Sequence, residues 1–155
     1  MRNVLAGGFC SIVFILCAAV PASGGIKEIP PEVDPGIANG TAAKELREAK
    51  AVWKENRVGT YRIRVNRFCF CATPNAATIK VRRGKVVKVN PKKWYGPFAV
   101  GGFFKVVSDA IKGEAASLEV KYDKEFGYPR DISIDHIAMA VDDEIGYKVR
   151  LKLPN

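Results

Sequence analysis

Histidine is all but missing from this sequence: among 155 residues only His136 is one. A lone imidazole with no nucleophile candidate beside it supports no hydrolytic triad, and one imidazole with two thiolates falls short of a closed zinc site. It reads as a histidine at the end of a strand. Cysteine is equally sparse, with four in all, and Cys10 and Cys17 fall in the apolar opening stretch. There is no phosphate-cradling glycine loop and no dinucleotide glycine pattern, so neither a nucleotide nor any other cofactor is implied. Carboxylates are absent from the whole span between Glu55 and Asp109. What remains is a chain with few of the groups that do chemistry and a marked separation of charge.

The first residues set the compartment. Arg2 is followed by an uncharged run from Val4 to Val20 that closes on Val20, Pro21 and Ala22. A basic start, an apolar middle and small residues at the end predict a signal peptide over 1–22, cleaved after Ala22. The run falls short of the roughly 20 apolar residues and flanking stop-transfer charge of a stable membrane span, so none is expected after cleavage. Cys17 follows Leu16, a residue too bulky for a lipoprotein signal. The mature chain is expected to be soluble and exported, periplasmic or extracellular, with a net charge of +8 once Arg2 is removed from the +9 of the full sequence. Residues 23–40, with "GG", "IPP" and "DPG", read as a Pro/Gly-rich tether, and residues 41–155 as a single domain.

Within that domain the hydrophobic period changes in a regular order. Thr41 is placed to cap a helix carrying Ala42, Leu46, Ala49 and Trp53 on one stripe; that cap also accounts for Thr41 better than the glycosylation pattern "NGT" at 39–41 does. From Tyr61 the chain alternates, with Ile63 and Val65 facing one way and Arg62 and Arg64 the other, a half-buried strand. Cys69 and Cys71 continue the apolar parity, with Arg67 its exception. "TIKVRRGKVVKV" reads as a hairpin about Gly84. A second amphipathic helix holds Phe103 or Phe104, Val107, Ala110 and Ile111 and stops at Gly113. Alternation returns at Leu118–Tyr122, at Ile132 and Ile134, and most cleanly at Tyr147, Val149, Leu151 and Leu153. The order is helix, three strands, helix, three strands. Tight turns pair such strands antiparallel, and two one-sided helices cover one face, giving a two-layer α+β domain.

Trp53 and Tyr61 ahead of Cys69-Phe70-Cys71, followed by Tyr122-Asp123, Gly127-Tyr128-Pro129, Ile134-Asp135 and Asp142-Asp143-Glu144, resemble the small exported bacterial proteins grouped as domain of unknown function 6174. The resemblance runs from about Lys44 to Leu153. It implies an exported α+β domain and brings no activity and no catalytic residue with it. This chain differs in its strongly basic middle.

That middle carries eleven cations between Arg57 and Lys93. Residues 23–100 hold sixteen cations against six carboxylates, and residues 101–155 eight against ten, a split of +10 and −2. Arg62 and Arg64 share the polar side of their strand, and Lys80, Arg82, Arg83 and Lys85 from the hairpin can join them in a positive patch. Such a patch keeps an exported protein soluble, and it also suits an anionic partner in the cell envelope: lipid headgroups, an acidic polymer or an acidic protein. Nucleic acid is not expected, because export removes it from the supply. Asp123, Asp135, Asp142, Asp143 and Glu144 offer hard oxygen ligands, but their spacing matches no calcium loop; they read as caps, with Asp123 fixing the "KEFGYP" turn, and no metal is expected.

Cys69 and Cys71, one residue apart in an oxidising compartment, are expected to form a mainly structural disulfide. Two residues of extended strand separate Cα atoms by nearly 7 Å, so the backbone at Phe70 is expected to bend. The sequence thus supports first an exported, non-enzymatic binding or supporting domain. A second reading is a thiol-disulfide redox protein using the pair, although the helix-terminal C-x-x-C setting that activates such thiols is absent. A third is an inhibitor-like module presenting the aromatic loop Lys92–Phe98.

Overall fold

A computed structural model of the protein describes residues 32–154, so the leader over 1–22 and the first half of the tether, residues 23–31, lie outside the described residues. The element order is α1 (Pro35–Ala38), α2 (Thr41–Glu55), β1 (Tyr61–Phe68), β2 (Ala76–Arg82), β3 (Lys85–Asn90), α3 (Val100–Lys112), β4 (Ser117–Tyr122), β5 (Pro129–Asp135) and β6 (Ile145–Lys152). All six strands form one antiparallel sheet in the order β3-β2-β1-β6-β5-β4. The α+β class agrees with the sequence reading, and the order of helices and strands agrees apart from the short α1, which lies in the stretch read as a tether. Each half of the chain contributes three consecutive strands, and the halves meet where β1 pairs with β6.

The alternation in β1 has a simple outcome: Tyr61, Ile63, Val65 and Arg67 are buried and the residues between them exposed. The buried face meets the helices. Leu46 and Ala49 of α2 and Val100, Phe103, Phe104, Val107 and Ala110 of α3 share one core with Ile79, Val81, Ile132, Ile134, Tyr147 and Val149 of the sheet. Two edge-to-face aromatic pairs join the layers: Trp53 with Tyr61 and Phe103 with Tyr147, each with ring centroids 5.6 Å apart. Burial raises the Tyr61 phenol above its usual pKa, and its oxygen accepts the Val100 N–H at the start of α3.

Three expectations change. The folded unit starts before Thr41. Asp34 caps α1 through the N–H groups of Gly36 and Ile37, and its other carboxylate oxygen accepts the Leu118 N–H at 3.0 Å, tying part of the expected tether to β4. Thr41 is not the cap of α2. Gly40 takes that position in a left-handed conformation, and the Asn39 side chain accepts the Thr41 N–H. The cysteines do not continue the core parity, because β1 ends at Phe68; Cys69 is half-buried and Cys71 exposed.

Two turns position the faces. Arg83 and Gly84, both at positive φ (48° and 73°), make the two-residue turn of the β2–β3 hairpin. At Gly127 (φ 73°) the β4–β5 turn comes so close to α2 that a Cβ there would lie 2.5 Å from the Ala49 carbonyl oxygen. Asp123 holds that turn by accepting the N–H groups of Glu125 and Phe126, as its place in "KEFGYP" predicts.

Candidate functional site

With both long helices on one side, the other face of the sheet is uncovered, and its polar residues line up by register. On this face Arg62 stands opposite Lys80 of β2 and Lys152 of β6, and Lys80 stands opposite Lys88 of β3. Lys88, Lys80, Arg62 and Lys152 therefore form one row across four strands. Neighbouring strands lie about 4.8 Å apart, so the row spans roughly 14 Å. Arg64 faces Arg150 in the next row, and Arg82 faces Lys85 at the hairpin end. Like charges directly opposite one another are destabilising. Among the described residues Arg150 is the one cation of this array held by a carboxylate, its Nη2 lying 3.2 Å from Asp131. Arg62, Lys80, Arg82 and Lys152 also bound a shallow groove of about 350 Å³.

Of the expected patch residues, Arg62, Arg64, Lys80, Arg82 and Lys85 stand at facing or neighbouring positions of β1, β2 and β3. Arg83 sits in the hairpin turn between Arg82 and Lys85, where its N–H donates to the Thr60 hydroxyl. Lys148, Arg150 and Lys152, supplied by β6, were missed. The signal was present, since they alternate with Tyr147, Val149 and Leu151, but they belong to the half of the chain whose charge sums to −2.

The same face becomes acidic toward β5 and β4. Asp131 is the best-held carboxylate there. Burial works to raise its pKa, but hydrogen bonds from Arg130 and Arg150 outweigh that and hold it below the usual carboxylate range. Between the two charge zones lies a groove of about 560 Å³. Its floor runs along the row Phe68, Gly146, Ser133 and Glu119, where glycine and serine leave a trough between strands. Cys69 and Phe70 wall it on one side, and Asp142 and Glu144 on another. Lys148 lies over the Phe68 ring, 5.3 Å from its centroid.

Cys69 and Cys71 are a close pair joined through their sulfurs, with Cα atoms 5.3 Å apart rather than at strand spacing, so the backbone bends at Phe70. Arg67, buried to 6% exposure, holds the segment that follows. It donates to the Thr73 hydroxyl and the Pro74 carbonyl while its guanidinium stacks 5.1 Å over Trp94. Trp94 in turn donates to the Pro97 carbonyl, so "WYG" anchors its loop and leaves Tyr95 exposed. His136 is exposed in the turn after β5. Among the described residues no three of His, Cys, Asp and Glu gather as metal ligands, and no helix is long and apolar enough to cross a membrane.

No curated protein and no solved structure matches this chain. The sequence pattern described as "Family of unknown function (DUF6174)" matches residues 45–151, which covers α2 through β6 apart from their outermost residues. By the extent of that match, and in agreement with the motifs around Cys69-Phe70-Cys71 and Gly127-Tyr128-Pro129, the chain belongs to the DUF6174 family.

Proposed function

We propose that this protein is an exported, non-enzymatic domain of the cell envelope that binds an anionic partner on the uncovered face of its sheet. The observation that carries the reading is the row Lys88, Lys80, Arg62 and Lys152. Placing like charges opposite one another works against the sheet by about 0.2–1 kcal/mol for each pair, and an anion laid across the row would reverse the sign of that contribution. A face built only for solubility would be served better by interspersed charges of both signs. The signal-peptide pattern supports export.

Retention on an anionic matrix at low ionic strength tests it, with a neutral matrix as control. Binding should fall steeply with added salt. Substituting Arg62, Arg64, Lys80 and Lys152 by glutamate should abolish it. Wild-type protein that passes through the anionic matrix unretained would sink the reading. Export is tested separately by the mass of the mature amino terminus, expected at Ser23.

A second reading rests on the exposure of Cys71. A buried pair would end the redox alternative, and this pair is accessible at a groove rim, so thiol-disulfide exchange with an extended peptide stays open. It ranks behind, because among the described residues the pair follows the end of β1 and no helix begins beside it. Turnover of a disulfide substrate that is lost in Cys71→Ser would bring it forward.

A further inference from the structure

The basic array does not stand alone on its face. At the C-terminal end of β1, Phe68 projects from the uncovered side and is 53% exposed, and Phe70 beyond it is 85% exposed. Phe70 lines the same groove as Gly146, Ser133 and Lys148, residues of the uncovered face, so the phenylalanines border the cations rather than pointing to the helix side. The Cys69–Cys71 link holds Phe70 at the apex of a closed bend. Leaving a phenylalanine in water is unfavourable unless something apolar meets it, and a soluble acidic polymer offers nothing for it to enter.

We infer that the anionic partner is a lipid bilayer: the face formed by β3, β2, β1 and β6 lies on anionic headgroups while Phe70 and Phe68 enter the boundary between headgroups and acyl chains. This rests on the anionic-partner reading and narrows it. A two-dimensional array of cations matches a two-dimensional array of headgroups, and each cation near such a surface strengthens binding about fivefold. Insertion of these two phenylalanines adds to that without anchoring the protein permanently, in the manner of interfacial rather than spanning segments. Glu119, Asp131, Asp142 and Glu144 line the same groove as the phenylalanines, together with Lys121 and Lys148: Glu119 and Asp131 stand on β4 and β5, away from the basic row, and Asp142 and Glu144 on the segment before β6. The carboxylates would be repelled, so the sheet must tilt with its β3 edge toward the membrane and β4 away.

The experiment compares protein purified from the envelope fraction of cells expressing the full chain, mixed with phosphatidylglycerol-containing vesicles, neutral phosphatidylcholine vesicles and soluble polyphosphate. The anionic vesicles should sediment the protein at low ionic strength and the neutral ones should not. Arg62→Glu with Arg64→Glu should weaken vesicle binding by more than about a hundredfold. Phe70→Ser should weaken it about tenfold while leaving polyphosphate binding unchanged. Phe70→Trp should add a tryptophan emission that shifts to the blue with anionic vesicles only. All three positions are exposed, and thermal melts matching the wild type confirm folding. Binding to polyphosphate without binding to vesicles, or vesicle binding indifferent to Phe70, overturns the bilayer proposal and leaves the anionic-partner reading standing. Binding to neither overturns both.

Discussion

Arg67 is the residue whose role departs most from its chemistry. It occupies a core position in β1, between Val65 and the end of the strand, and it has no carboxylate partner among the described residues. Its planar group instead stacks on Trp94 and reaches two oxygens of the segment after the cysteine pair. Lysine keeps the charge but loses the stacking and the forked donors. Arg67→Lys is therefore expected to lower stability by about 2–3 kcal/mol in urea unfolding, and a change below about 0.5 kcal/mol would show that the stack contributes little. Asp131 gives a pH signature. Its pKa is depressed in the folded state, so its contribution is present above the unfolded carboxylate range and is lost as pH falls through the lower folded value. Wild type should be more stable than Asp131→Asn at neutral pH, and the gap should close as pH falls below the ordinary carboxylate range. A gap unchanged in acid would rule out ion pairing as its source.

Between elements, the β4–β5 turn packs tightly against α2. Gly127 is buried there, and the Asn56 side chain donates to the Glu125 carbonyl at 3.0 Å to hold the two together. Gly127→Ala meets two obstacles at once: the positive φ and a Cβ that would also come within 2.8 Å of the Val52 Cβ. The expected loss is about 2–4 kcal/mol, measured by thermal or urea unfolding, with the damage in the α2 contact rather than the uncovered face. Binding to an anionic matrix by the folded fraction should be unchanged. The strand alternations, the hairpin about Gly84 and the stop at Gly113 were all legible, because each depends on neighbours in sequence. The cap of α2 was misread for a local reason: Gly40 adopts the left-handed conformation that lets Asn39 accept the Thr41 N–H in place of a Thr41 cap.

For the whole molecule, the pairing of β1 with β6 is the decisive event. It joins the basic first half to the alternating cations of a half that is acidic in sum, and it concentrates both on one face. If that face is kept for binding, relieving its repulsion should stabilise the fold and weaken the function together. Lys80→Thr removes the contacts with Arg62 and Lys88 and places a good strand former in β2. It should raise stability by about 0.5–1 kcal/mol at low ionic strength, less in high salt, and reduce retention on an anionic matrix. A variant both less stable and equally well retained would contradict the role assigned to the row.

The sequence by itself determined the two long helices, the six strands and their order, the α+β class and the family resemblance, because these follow from local periodicity and turn residues along the chain; it missed α1, which lies in the stretch read as a tether. Only the tertiary structure decided which strands lie side by side. Antiparallel pairing within each three-strand unit follows from connections too short for a crossover helix, but the pairing of β1 with β6 joins residues far apart in sequence, and no local pattern specifies it. That single pairing adds Lys152 to the row, sets Arg150 against Arg64, and opens the trough at Gly146 beside Phe68. The burial of Arg67 and the exposure of Cys71 were decided in the same way, since side-chain parity shows which face a residue takes but not where the strand ends or what stacks upon it.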